Sequence, residues 1–210
     1  MLFPLYGRRN GVRLALGLHP LEVAKVDLAR ELSLFQSYAA HTSYIGEVGL
    51  DHSREGKATN ALQEKALEAI LTTPGVKDKI MSVHSRGAAG TTIKRLQNAK
   101  ATGVILHWFS GSVVQLDAAL DAGFYLSVNP AMTRSKKGRA IIARIPPDRA
   151  LVESDGPYAR IARRQLEPTD VLIAIAHLSN LWERCSTDVA HQLEANLRHL
   201  SNGLPNARAT

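Results

Sequence analysis

Four short segments of this chain place a histidine or a carboxylate directly after an apolar run. They are Ile45 to Asp51 (IGEVGLD), Met81 to Arg86 (MSVHSR), Leu106 to Gly111 (LHWFSG) and Leu151 to Tyr158 (LVESDGPY). A polar residue that ends an apolar strand stands at the carboxyl rim of a parallel β/α fold, where barrels assemble metal sites. Glu47 could bridge two divalent cations. His84 and His107 offer imidazoles of the kind that bind zinc, manganese or similar ions. Asp155 could ligate the metal, or orient and deprotonate its water, with Glu153 as a partner behind it. Each residue alone is equally well explained by an ordinary ion pair or a satisfied histidine. Four of them, each ending a different strand, point together to a mono- or dinuclear hydrolase site with Glu47, His84, His107 and Asp155 as metal ligands. Asp155 and Glu47 are its candidate catalytic residues.

A second group surrounds the first. Arg86 could clamp a phosphate or pair with an acid. Gly111 permits a tight turn that leaves the amides of Ser110 to Ser112 free for a phosphate. His19, in the segment GLHP, also ends an apolar run over the same rim, and a structural and a substrate role are both open to it. His52 follows the Glu47 loop and could contact substrate. His19, His52, Arg86, Ser110, Gly111 and Ser112 are therefore the candidate substrate-binding residues. Trp108 and Phe109 could stack on a base, with at least one of them expected in the core. His41, His177, His191 and His199 fall in helical stretches and read as ordinary surface histidines.

The elements that must position these residues alternate along the chain. Strands are expected at Val12–Leu18, Tyr44–Val48, Lys79–His84, Gly103–Leu106, Phe124–Val128 and Ala150–Glu153. Helices are expected at Leu28–Ala40, Asn60–Leu71 with Asn60 as its cap, from Thr91 or Thr92 to Ala99, Val113–Ala122, Lys137–Ile145, Thr169–Leu181 and Thr187–Leu200. Repeated strand–helix units imply parallel strands with right-handed crossovers. Polar residues at almost every strand end favour a barrel over a doubly wound sheet, which gathers them at one switch point. The fold class is thus α/β, TIM-barrel-like. Six strands are two short of a closed barrel, and the deficit lies at the front.

Composition narrows the setting. The 210 residues fit a single domain over 1–210, with 1–11 and 202–210 expected to fray. No apolar run is long enough to span a membrane, and the start MLFPLYGRRNG has its arginines after its apolar residues, the reverse of a secretory signal. A cytoplasmic location is the expectation. The single cysteine, Cys185, excludes an internal disulfide and reads as a buried or half-buried structural thiol at the end of a helix. A net charge of +7 favours anionic partners, nucleic acid among them. The basic residues are densest at Arg134–Arg144 and Arg160–Arg164, next to expected rim loops.

The motifs GLHP, IGEVGLD, HSR, HWFSGS and ESDGPY, in that order, resemble those of the TatD family of metal-dependent deoxyribonucleases. HWFSGS and SVNPAM, with the run SKKG, are most similar to the TatD-like member of the Qat antiphage defence systems. The resemblance runs from about Leu14 to Leu200. It implies an amidohydrolase-like barrel that hydrolyses DNA phosphodiesters with one or two divalent ions, Mg, Mn or Zn. Carried across motif by motif, the metal-binding glutamate is Glu47, the histidines are His84 and His107, and the aspartate is Asp155. The family's N-terminal His-x-His has no counterpart, so the expectation is an N-terminally shortened barrel without its first two strands. DNA is the implied partner, with other subunits of a defence complex beside it and no membrane. Two alternatives stay open: an amidohydrolase-like enzyme acting on a small cyclic amide or ester, and a catalytically impaired structural subunit.

Overall fold

The computed structural model describes residues 12–203. Five parallel strands form one sheet: β1 (Tyr44–Gly49), β2 (Ile80–His84), β3 (Val104–Leu106), β4 (Tyr125–Val128) and β5 (Ala150–Val152). Their spatial order is their chain order, β1-β2-β3-β4-β5. A doubly wound sheet reverses direction at a switch point, whereas a barrel wall never does. The architecture is therefore TIM-barrel-like. Among the described residues, the segment expected as a first strand at Val12–Leu18 pairs with the sheet through one parallel bridge, Leu16 to Ile45. It is held by hydrogen bonds from Leu16 N to Tyr44 O and from Gly46 N to Leu16 O. Among the described residues, β5 pairs with β4 alone and the wall does not close.

Helices connect the strands: α1 (Leu28–Ala39), α2 (Asn60–Leu71), α3 (Ala89–Asn98), α4 (Val113–Asp121) and α5 (Lys136–Ile142), then α6 (Val171–Trp182) and α7 (Ser186–Asn202). Their positions follow the hydrophobic pattern closely, and the differences lie at the caps. Asn60 is the first helical residue rather than a cap, with Thr59 before it. Gln63, three residues on and fully buried, accepts from Asp51 N in the loop after β1. α3 starts before Thr91 and Thr92, after Ala88, and the buried Thr92 hydroxyl donates to Ala88 O. Cys185, expected buried or half-buried at the end of a helix, is instead exposed, because it stands before α7 as its N-cap with its sulfur accepting from Asp188 N. The expected fraying at 1–11 lies outside the described residues, as does 204–210, but Asn202 is still helical. The basic run Arg160–Arg164 is a small antiparallel hairpin, β6 (Arg160–Ile161) and β7 (Arg164–Gln165), in which Arg164 is clamped by Asp170 at 2.6 and 2.8 Å.

Strand side chains alternate between two faces. Outward-facing residues, among them Ile45, Met81, Val83, Leu106, Leu126 and Ala150, pack with Phe35, Leu67, Ile93, Leu116 and Ile142 of the helices into one large core. Inward-facing residues form a separate, smaller cluster of Ile80, Tyr125 and Leu151, with Tyr44 and Ile105 against it. Leu200 of α7 fills the same floor. α7 is tied there because Asn196 Nδ2 donates to both Pro147 O and Ala150 O at 2.7 Å, at the entry to β5.

Candidate functional site

Counting by twos up each strand from that floor reaches the functional residues in turn. Ile80 leads to Ser82 and His84, Ile105 to His107, Tyr125 to Ser127 and Asn129, and Leu151 to Glu153 and Asp155. The apolar floor and the polar rim are one continuous inner surface.

Strand β1 breaks the count. Ile45 pairs with Met81 and Val48 with Val83, so two residues, Gly46 and Glu47, stand opposite the single Ser82. Strict alternation would put Glu47 on the outer face with Ile45. The bulge turns it inward, as bulges near sites commonly do. Gly46 makes this possible: its φ is 154°, and a Cβ there would meet Ser82 Cβ at 2.9 Å. Gly17 packs so close to the same bulge that a Cβ would lie 2.5 Å from Gly46 C.

Glu47, His84, His107 and Asp155 converge. His84 Nδ1 is 2.7 Å from Glu47 Oε1, and His107 Nε2 is 3.6 Å from both Glu47 Oε1 and Asp155 Oδ1. Each histidine is held from behind by a carboxylate. Asp51 Oδ2 lies 2.8 Å from His84 Nε2, and Glu153 Oε2 lies 2.7 Å from His107 Nδ1. A carboxylate behind a ligating imidazole fixes its tautomer and raises its basicity. His84 therefore offers Nδ1 to the site and His107 offers Nε2. Glu153 was anticipated in this role from the sequence; Asp51 was not, although it closes the Glu47 motif. Asp51 is fully buried and is fixed in turn by Ser53 N on Oδ1. Its own amide donates to Gln63 Oε1 at 2.7 Å. Glu153 also accepts from Ser127 Oγ, Asn129 Nδ2 and Trp108 N. The sequence shows Ser127 and Asn129 only as members of the segment SVNPAM, without a role, because their importance comes from sharing an acid with a neighbouring strand.

Two sets of donor atoms lie within 4.8 Å of one another: His19, Glu47 and His84, and Glu47, His107 and Asp155. Glu47 belongs to both. The second set, with His84 Nδ1 beside it, has the mixed imidazole and carboxylate chemistry that suits a divalent ion. His19 is different. Its Nδ1 accepts from Leu21 N at 3.2 Å. The neutral ring then carries its proton on Nε2, which faces Glu47 Oε1 at 3.5 Å. A protonated nitrogen cannot ligate, and moving the proton to Nδ1 would set it against the Leu21 amide. The geometry makes His19 a hydrogen-bond donor to an anionic oxygen, which is one of the two roles its sequence left open.

The charges reflect this crowding. Burial alone would raise the Glu47 carboxyl, but hydrogen bonds from His19 and His84 and the charge of His107 outweigh it. They hold Glu47 well below the usual carboxylate range. Burial opposes the His107 cation, yet Glu153, Glu47 and Asp155 together raise its pKa to about 9. Burial and the nearby Glu153 and Glu47 charges push Asp155 up to about 6. Without an ion, a proton on His107 neutralises the carboxylates around it.

The other sequence candidates fall at graded distances. The site opens into a cleft of about 840 Å³ whose lining includes His19, Arg86, Ser110, Trp108 and Tyr158. Arg86 is exposed and pairs with Glu55 at 3.3 Å. Ser110 O accepts from Lys137 Nζ. Ser112 and Gly111 take different parts. Ser112 forms a reciprocal cap with Gln115 at the start of α4, which occupies both its hydroxyl and its amide. Gly111 is a packing glycine: a Cβ would meet the Phe109 ring at 2.5 Å. These two leave Ser110 as the member of the trio that lines the cleft. His52 lies outside the lining; its amide donates to Arg86 O, and its Nε2 is buried with no partner among the described residues.

Residues 5–202 match the family model of the TatD-related DNases. The chain belongs to that family. Among curated TatD relatives, the human deoxyribonuclease TATDN3 is 28% identical over 220 residues, covering 95% of this chain and 80% of its own length. The metal-dependent hydrolase BU355 of Buchnera aphidicola is 30% identical over 217 residues, covering 94% and 80%. The structure of the TatD homologue YjjV of Escherichia coli superposes with a TM-score of 0.76 at 23% identity, over 95% of this chain and 80% of that one. Family membership and the two donor sets together support a metal-dependent hydrolase. Among the described residues no helix is long and apolar enough to cross a membrane.

Proposed function

We propose that this chain hydrolyses phosphodiester bonds of DNA with one or two divalent ions, Mg, Mn or Zn, held by Glu47, His84, His107 and Asp155. The observation that carries the reading is the inward turn of His84 Nδ1 and His107 Nε2 onto Glu47 and Asp155, each ring fixed from behind by Asp51 or Glu153. An ion bound there supplies Lewis-acid stabilisation of the charge that develops on phosphate oxygens.

The remaining steps belong to the chain. His19 Nε2–H and Arg86 hold non-bridging phosphate oxygens at the cleft wall. Asp155, facing His107 Nε2 at 3.6 Å on the inner rim, is placed to act as the base. It takes a proton from the attacking water, whose oxygen forms the new bond to phosphorus. The ester P–O bond on the opposite side breaks, and the departing alkoxide takes a proton from solvent. Glu47, held ionised, keeps the two halves of the site joined.

The test compares the wild-type chain and Asp155→Asn on single- and double-stranded DNA with each of the three metals. Metal-dependent cleavage, lost in EDTA and reduced at least about a thousandfold by the substitution, is expected. Absence of cleavage with all three metals, or cleavage indifferent to Asp155, would falsify the mechanism. The HWFSGS and SVNPAM segments support placing this activity in cytoplasmic antiphage defence, beside other subunits of a defence complex. Equal phage plating on cells carrying wild type and Asp155→Asn would end that part of the proposal.

A further inference from the structure

The four-residue segment HWFS sends its two aromatic side chains in opposite directions. Phe109 is 2% exposed and lies in the core beneath Gly111. Trp108 is 38% exposed and lines the cleft. An indole left open on the lip of a polar cleft offers a flat face on which a planar ligand can stack. The backbone shows that this placement is built. Trp108 has a φ of 36°, in the left-handed region that bulky residues rarely enter. Its amide is pinned by Glu153 Oε1 at 3.0 Å. The same carboxylate holds His107 through its other oxygen. One acid therefore fixes both the candidate ligand and the indole, whose ring centroid is 6.5 Å from that of His107.

We propose that the Trp108 indole is a stacking subsite for the nucleobase next to the scissile phosphate, with Tyr158 as a second, more exposed face. The inference rests on the DNA-hydrolase reading above. Tyr158 is 86% exposed on the same cleft and follows directly on the Asp155 loop. A phosphate at the ion site beside His107 would leave the base of the same nucleotide within reach of an indole whose centroid is 6.5 Å from the His107 ring. Stacking on an aromatic face is tolerant of base identity, because every base has such a face. It also requires an unpaired base, since a base inside a duplex already has its faces covered. The subsite thus selects for the presence of a base and for its freedom, rather than for its sequence.

The probes are a thymidine decamer and a decamer of the same length made wholly of abasic deoxyribose phosphates, which removes any question of strand polarity. Wild type is expected to favour the thymidine decamer in KM by about ten- to a hundredfold. Trp108→Ala should erase that preference, and Trp108→Phe should restore part of it. Equal KM values in wild type, or a preference that survives in Trp108→Ala, overturns the subsite. The second readout needs no turnover. The chain has two tryptophans, so Trp182→Phe leaves Trp108 as the sole fluorophore. Its emission should be quenched by the thymidine decamer and not by the abasic one. If wild type cleaves neither decamer but the quench is seen, the hydrolase reading fails and the stacking subsite stands. Cleavage without a selective quench has the opposite meaning.

Discussion

The two halves of the site use the same parts in opposite senses. On the β1–β2 side, Asp51 grips Nε2 of His84 and leaves Nδ1 facing Glu47. On the β3–β5 side, Glu153 grips Nδ1 of His107 and leaves Nε2 facing Glu47 and Asp155. The first acid is sealed in the core and serves one histidine. The second is half-buried and gathers four donors from the ends of β3 and β4. The charge balance differs accordingly: the raised pKa values of His107 and Asp155 both belong to the β3–β5 half. A strand-end histidine is thus not a fixed ligand type. The acid behind it decides which nitrogen it presents, and the crowding around it decides whether it holds a proton in place of an ion.

The largest effect should come from the residue that joins the halves. Glu47→Gln removes a carboxylate common to both donor sets, and a loss of at least about a thousandfold in turnover is expected. Isothermal titration with manganese should show binding lost as well. Persistent tight binding would mean that the halves work independently.

Next come the two acids behind the histidines. Glu153→Gln and Asp51→Asn should each weaken metal affinity about ten- to a hundredfold. Their collateral effects should separate them. Glu153→Gln should also disturb the Trp108 emission, because its other oxygen holds that amide. Asp51→Asn should lower the melting temperature more, because Asp51 is fully buried. Identical profiles for the two variants would remove the asymmetry.

The pH dependence of the metal-free protein tests the charge contrast. The His107 pKa is raised from 6.5 to about 9, so its stabilising contribution is fully present below about 6.5 and is lost as pH rises through about 9. The effect should be on the order of 3 kcal/mol. His107→Gln should flatten the stability curve in that window when unfolding is followed in urea with EDTA present. A wild-type curve that is already flat there would show that the proton is not held.

The smallest effect concerns the cap beside the site. Ser112→Ala should lower stability by about 1 kcal/mol through the lost cap at α4, with kcat/KM unchanged. A kinetic defect larger than the stability change would return Ser112 to the substrate loop that its sequence context suggested.

These contrasts separate what is written in the chain from what folding adds. The alternation of apolar runs and amphipathic helices, with a polar residue closing each run, is a local property. It determined the parallel α/β wall, the helix positions within about three residues, and the choice of Glu47, His84, His107 and Asp155 as the residues that the fold brings together. Caps and second partners depend on which residues meet after the chain has closed on itself. Asn60 and Ser112 look equally fit to cap a helix, yet only Ser112 finds the reciprocal geometry. Glu47 reaches the inner face only because a bulge at Gly46 shifts the register against Ser82, and alternation read along β1 alone would turn it outward. Asp51, Ser127 and Asn129 matter through acids and rings on other strands, and so does the choice between Trp108 and Phe109. The tertiary structure decided these, because a hydrogen bond between strands is fixed by register and distance, neither of which is encoded in the spacing of residues along one strand.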